Sequence, residues 1–258
     1  MAQSLSYKRI LYRMGYFEYQ RGLIFHHLRE HGGWNGHLKK CRDFILKAVE
    51  HYRPSVVTAL GSGWLLDFPL KEVAETVSRL NLVDIVHPPE VKKQVSGMKN
   101  VVLHEEDITG GLITEVWRKA GSRWFFNRLR SMDGIDVPEY QPQYEPGLTV
   151  SLNIMTQLET LPLALLKKKA AVDEADYNDF RKKIQQSHLG FLERNKSVLI
   201  TDLEEVVKES SGKVTKVRSV LVDLPAGSAR EEWTWDFDLR KSDFFRRKSV
   251  FRVAAILL

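Results

Sequence analysis

The eight residues Val56-Val57-Thr58-Ala59-Leu60-Gly61-Ser62-Gly63 constrain this chain more than any other segment. A short, β-prone and mostly apolar run ends abruptly in two glycines separated by a serine. Such a run reads as a buried strand, and the glycines as a tight turn leaving it. Glycine lets the backbone turn sharply and come close to a ligand where a Cβ would collide. The N–H groups of that turn, and of a helix starting from it, are then expected to face an anion. A tight turn with no ligand has the same signature, so the segment alone leaves both readings open.

The next segments extend the pattern. Residues 69–80 place Leu70, Val73, Ala74, Val77 and Leu80 at helical spacing, which predicts a helix with one buried face. Residues 82–86 form a second apolar run interrupted by Asp84, 21 positions after Gly63. An acid about 20 residues beyond a glycine turn, at the end of the second strand of a βαβ unit, can accept both hydroxyls of an adenosine ribose. Residues 100–104 read as a third strand, left through Glu105, Glu106 and Asp107. Asp107 is placed to accept from the exocyclic amine of adenine, and the Ile108 N–H to donate to a ring nitrogen. Residues 148–153 read as a fourth strand ending in Asn153, with Met155 and Gln157 beyond. All four landmarks fall at the C-terminal ends of parallel strands, where open α/β sheets bind ligands.

In four motifs the chain resembles the class I S-adenosylmethionine-dependent methyltransferases. ALGSG at 59–63 is similar to their glycine motif, and LVDIV at 82–86 to the acidic motif of strand two. EEDIT at 105–109 is similar to the adenine motif, and SLNIMTQL at 151–158 to the segment lining the methyl-transfer site. The resemblance covers roughly residues 50–205. It implies an α/β, Rossmann-like, mostly parallel sheet of seven strands, S-adenosylmethionine as cofactor, and in-line transfer of a methyl group. The residues it points to for the cofactor are Leu60, Gly61, Ser62, Gly63, Asp84, Ile85, Asp107, Ile108 and Asn153. On the acceptor side, Gln157, His87, Tyr140 and Tyr144 are the candidates, His87 also as a base. No catalytic residue is assigned. A small-molecule acceptor is expected, with RNA and protein open.

The chain departs from the motif at Leu65, where a third glycine often sits. Trp64 is bulky for a loop near a cofactor, and Asp67 adds negative charge beside it. A binding or regulatory protein that keeps the fold and transfers nothing is therefore the alternative. A nicotinamide oxidoreductase fits less well, because Leu66 stands where its fingerprint needs glycine.

The remaining sequence sets the organisation. With 258 residues and 43% hydrophobic content the chain can bury one large α/β core. Residues 1–53 read as an N-terminal helical extension, 54–258 as the Rossmann-like domain, and 121–147 as a lid insertion. Residues 158–195 read as helical. Beyond the fifth strand (197–202) the pattern alternates over 214–223, 232–238 and 250–258, predicting antiparallel C-terminal strands joined by a turn at Ser210, Ser211, Gly212 and Lys213. Arg123, Trp124, Phe125 and Phe126 either stack on nucleobases or pack the lid. Lys241 and Arg246 flank Phe244 and Phe245 in a basic loop that touches phosphates or is anchored by its rings. The net charge of +6 decides nothing about nucleic acid. Cys41 is the single cysteine, so there is no intramolecular disulfide. His26, His27, His31 and His37 lack the carboxylate-rich helix that would complete a zinc pattern, and no metal is expected. No signal segment or apolar run of about 20 residues appears, which makes the cytoplasm the expected location.

Overall fold

The computed structural model describes residues 4–121, 128–209, 212–240 and 247–258. Three helices, α1 (Leu5–Met14), α2 (Tyr16–Arg29) and α3 (Asn35–Tyr52), precede the first strand. Arg53, in left-handed conformation (φ 44°), ends α3 just before Pro54. Strands and helices then alternate as β1 (Val56–Leu60), α4 (Leu70–Thr76), β2 (Arg79–Asp84), α5 (Pro89–Val95), β3 (Val101–Glu105), α6 (Leu112–Val116), β4 (Leu148–Leu152), α7 (Thr160–Lys169), α8 (Glu174–Glu193) and β5 (Ser197–Lys208). Three strands close the chain: β6 (Val214–Arg218), β7 (Ala229–Asp238) and β8 (Lys248–Leu257).

The sheet runs β3-β2-β1-β4-β5-β8-β7, and β6 pairs with β5 off that path. From β3 to β5 every pairing is parallel. The order 3-2-1-4-5 is that of the doubly wound Rossmann-like fold, and it reverses between β1 and β4, where a ligand crevice is expected. The pairings of β8 with β5 and β7 are antiparallel, as the alternating C-terminal pattern implied. The sheet has eight strands where the resemblance implied seven. The addition is β6, made possible because β5 extends past residue 202, through a bulge at Asp202/Glu204, and pairs Glu204–Lys208 with Arg218–Val214.

Two helical expectations need correction. The helix expected over 69–80 stops at Thr76, because Val77 is extended and the Ser78 and Arg79 N–H groups both donate to Ser55 O. Leu80 accordingly belongs to β2, with its N–H on Asn100 O. The helical stretch expected over 158–195 is two helices. Asp173 starts the second with a capping box, its Oδ1 accepting from Asp176 N at 2.9 Å while Asp176 Oδ2 accepts from Asp173 N at 3.3 Å.

Burial follows strand alternation. Val57 and Ala59 of β1 face a core shared with Leu38, Phe44, Ile45 and Val49 of α3, Val73 of α4 and Trp233 and Trp235 of β7. Leu60 faces the opposite core, with Leu112 and Val116 of α6 and Phe180, Ile184 and Leu192 of α8. So α3 is an integral helix of one covering layer. A small third cluster, Leu11, Met14 and Ile113, packs α1 on α6. Among the described residues no helix is long and apolar enough to cross a membrane. Arg123, Trp124, Phe125, Phe126, Ser210, Ser211, Lys241, Phe244, Phe245 and Arg246 lie outside the described residues.

Gly147, immediately before β4, shows how tightly the centre is packed. Its φ is 61°, and a Cβ there would run into the carbonyl of Val56 in β1. Gly147→Ala is expected to lower stability by at least about 2 kcal/mol, the scale of strained or overpacked sites. Gly97→Ala, where a Cβ would meet nothing within 4 Å, should change it by less than about 0.5 kcal/mol. Urea unfolding of both variants checks this, and equal midpoints would refute the account.

Candidate functional site

Where β1 ends, the chain is tied to β2. The N–H groups of Gly61 and Ser62 both donate to Val83 O, at 2.9 and 3.1 Å. The Gly63 N–H donates to Asp84 Oδ2 at 2.7 Å. All three turn amides are thus satisfied within the protein. The expected anion cradle is not formed by them, and the turn does not open into a helix, since α4 begins only at Leu70. Gly61 is required for another reason. At φ 76°, its Cβ would lie 2.7 Å from Ile154 Cβ and 3.2 Å from Leu152 O, across the point where strand order reverses. Leu65 takes φ 57° with its side chain buried. The backbone there adopts the left-handed turn natural to glycine, at a cost of about 1–2 kcal/mol.

Asp84 and Asp107 line one cavity of about 150 Å³ together with Gly61, Ser62, Gly63, Ile85, Ile108, Asn153 and Gln157. That is room for on the order of ten waters. Burial, partly offset by the Gly63 and Val86 N–H groups, raises the Asp84 pKa to about 6. Asp107 is also raised, first by burial, and its Oδ1 is held by the Thr109 N–H (2.9 Å) and hydroxyl. The Tyr7 hydroxyl of α1, also buried, reaches the Asp107 carboxylate. Burial and the Asp107 charge push the Tyr7 pKa upward.

The N-terminal helices roof this cavity. Tyr16, Tyr19, Gln20 and Leu23 of α2 line it. Trp64, too bulky in appearance for a cofactor loop, is a strut: its indole N–H donates to Gln20 O at 2.9 Å, while Gln20 Nε2 donates to Val86 O.

The end of the cavity beyond β4 is built from residues the sequence did not flag as a set. Asn153, at φ 47°, donates through Nδ2 to Asp67 Oδ2 at 2.8 Å, and its own Oδ1 is buried without a partner. Gln157 Nε2 donates to Asn153 O at 2.6 Å. His37 stacks on Trp235, with ring centroids 3.9 Å apart. Trp233 donates its indole N–H to His37 Nδ1 at 3.1 Å. An indole nitrogen is only a donor, so His37 Nδ1 accepts, while His37 Nε2 lies 3.3 Å from Asn153 Nδ2 and 3.5 Å from Cys41 Sγ. Burial lowers the His37 pKa to about 3 and raises the Cys41 thiol, so both stay neutral. His37, Cys41 and Asp67 lie close together, with Asn153 Nδ2 set among all three. A second group, His26, Glu30 and Asp238, clamps α2 to the end of β7: His26 Nε2 donates to Phe237 O at 2.9 Å and Glu30 Oε2 accepts from Leu239 N at 3.1 Å.

Four candidates stand outside this cavity. Leu60 is fully buried in the core opposite α3. His87 is buried against the Ser62 hydroxyl (3.1 Å), and burial lowers its pKa to about 4. Tyr140 and Tyr144 are not loose turn residues. The Tyr140 hydroxyl donates to Glu106 Oε2 at 2.6 Å and lies 2.9 Å from that of Tyr144. Glu106 thereby fastens the segment before β4 to the end of β3. Asp67, Trp34 and Trp235 line the cavity without having been expected to. Only Asp67 left a trace, as a second acid close behind the glycine turn.

No family model matches this chain, and no curated protein does. Among solved structures it is similar to a complex of DhpI with SAH, at 9% identity over 91% of this chain and 94% of that one, with a TM-score of 0.32. It is also similar to a precorrin 8w decarboxylase from Methanobacterium thermoautotrophicum, at 15% identity over 83% and 88%, with a TM-score of 0.28. The Rossmann-like, methyltransferase-like fold rests on the strand order and register described above.

Two outcomes follow from this geometry. Trp64→Phe keeps the ring and loses the bond to Gln20, worth about 1 kcal/mol; hydrogen exchange in α2 should speed up about fivefold, while α8 is unchanged. Asp84 has its pKa raised on folding, so its stabilising share is complete below about pH 4 and lost as pH rises through about 6. At about 1.4 kcal/mol per unit the loss is on the order of 3 kcal/mol. Denaturation of Asp84→Asn between pH 4 and 8 should lack this component, and an identical pH profile would contradict it.

Proposed function

We propose that this chain is an S-adenosylmethionine-dependent methyltransferase. The observation that carries the reading is the placing of Asp84 and Asp107, at the ends of adjacent strands, on the wall of one cavity at the reversal of strand order. The residues fit the nucleoside part of the cofactor. Asp107 Oδ2 would accept from the adenine amine, beside the Ile108 N–H. Asp84 already takes the backbone N–H groups of Gly63, Val86 and Ile85. A carboxylate has about four lone-pair sites, so one remains for a ribose hydroxyl. When bound, the cofactor supplies a methyl group activated on a sulfonium. The chain's part is to hold donor and acceptor at attacking distance and to keep water out. The α2 roof over Gly61–Gly63 serves both.

The internal pairing of the three turn amides favours one second reading, a protein that binds the nucleoside part and transfers nothing. Adenosine and S-adenosylhomocysteine would then bind with equal affinity, whereas a methyltransferase should prefer the latter at least tenfold.

Calorimetry with S-adenosylhomocysteine tests the main reading. Ribose hydroxyls donate best to an ionised carboxylate, so affinity should increase as pH rises from 5 to 7 through the Asp84 pKa of about 6. Asp84→Asn should weaken binding at pH 7 by about 10- to 100-fold, the scale of hydrogen bonds to a charged group, and should abolish the pH dependence. A wild-type protein that binds no S-adenosylhomocysteine at any of these pH values would end the proposal.

A further inference from the structure

The cavity wall is electrostatically one-sided. Asp67, Asp84, Glu106 and Asp107 line it, and no lysine or arginine appears among its described lining residues. His37, its single lining histidine, is neutral for the reasons given above. Such a cavity disfavours ligands of net negative charge, which would meet like charge at close range in a poorly hydrated space. It favours cations.

The end beyond β4 has the features of a dedicated cation site. Trp34 and Trp235 form aromatic walls there, their rings 4.9 Å apart and edge-to-face. Asn153, 5% exposed, has a buried Oδ1 with no donor, and Trp235, 9% exposed, has a buried indole N–H with no acceptor. A buried polar atom without a partner costs about 1–3 kcal/mol, so a molecule that pairs both is strongly favoured. Asp67 is tied to Asn153 Nδ2 through Oδ2, and a carboxylate retains further acceptor capacity. Burial raises its pKa, while the Arg42 charge moderates the rise.

We infer that this end of the cavity binds the methyl acceptor, and that the acceptor is an amine, held by Asp67 and Asn153 Oδ1. The inference rests on the methyltransferase reading. The bound ammonium gives one proton to the Asp67 carboxylate. The freed nitrogen lone pair forms the new N–C bond to the methyl carbon, and the C–S bond breaks with its electron pair remaining on sulfur. Asp67 keeps the proton until the methylated ammonium leaves. The unpartnered Trp235 N–H selects amines that also carry an acceptor atom near the nitrogen.

Three ligands of one shape test this by calorimetry: phenethylamine, 2-phenylethanol and 3-phenylpropionate. They are titrated into the protein with and without S-adenosylhomocysteine. Phenethylamine should bind at least tenfold more tightly than the other two in both states. Asp67→Asn, which is isosteric, should bring it to the level of the alcohol and leave S-adenosylhomocysteine affinity within threefold. Equal affinity of wild-type protein for the amine and the alcohol overturns the inference, whatever the variant does. So does an Asp67→Asn variant that loses tenfold in S-adenosylhomocysteine affinity and nothing for the amine, since this end would then hold the cofactor's own amino group. Absence of S-adenosylhomocysteine binding strikes the proposed function, and the titration without it still decides whether an amine site exists.

Discussion

One carbonyl organises the centre of this molecule. Val83 O receives the N–H groups of both Gly61 and Ser62, and the next residue on each side is joined by the Gly63–Asp84 bond. The C-terminal ends of β1 and β2 are therefore locked in fixed register. That lock places Asp84 on the cavity wall and aims the chain away from the sheet, so that α4 starts late. It also makes Gly61 obligatory, since only a residue without Cβ fits against Ile154 while making this turn. The glycine motif thus acts first on the protein's own backbone, and the ligand meets carboxylates where turn amides were expected.

The same locking produces the electrostatic character of the site. Strand ends in a doubly wound sheet converge, and here two of them deliver three acids: Asp84 from β2, and Glu106 and Asp107 from just beyond β3. Glu106 is held ionised by the hydrogen bond from His104 and by those from Tyr140 and Tyr144, which keep its pKa below the ordinary value. For Asp67, Asp84 and Asp107 the hydrogen bonds received only partly offset burial, which raises all three. A cavity whose acids are uncomfortable when empty binds donors and cations with a free-energy advantage already present in the protein.

Much of this was legible in the sequence where one residue type has one physical use. The apolar run before Gly61, the acid 21 positions on and the Asn at the end of β4 gave strand order, crevice and two wall residues. Asn153 could be read because asparagine is among the few residues at ease in the left-handed region it occupies. What escaped were contacts made over long separations. Trp235 lies on a strand that alternates regularly, and nothing local distinguishes a tryptophan that stacks on His37 from one that fills a core. Tyr140 and Tyr144 read as acceptor-side residues because they sit in the segment before β4, but Glu106 is their partner 34 and 38 positions away. His87 followed the ribose acid closely enough to look functional. Its side chain turns inward because the Pro88-Pro89 pair starts α5 and fixes the backbone ahead of it.

Strain is distributed in a way that fits a binding crevice. Four described non-glycine residues have positive φ: His31, Arg53, Leu65 and Asn153. Two of them, Leu65 and Asn153, border the cavity region from opposite sides of the strand-order reversal. Left-handed leucine persists only when the surroundings over-determine it. Here the Leu65 N–H is bonded to Ser62 O, and its side chain joins the α3 core. The strain therefore keeps Trp64 and Asp67 on the cavity side while Leu65, between them, is buried. Trp64 reaches up to the α2 roof and Asp67 across to Asn153. A glycine at position 65 would relieve the backbone and lose the buried anchor that sets both directions. The departure from the glycine motif is for this reason a structural part of the site, joining its roof to the end that would receive the acceptor.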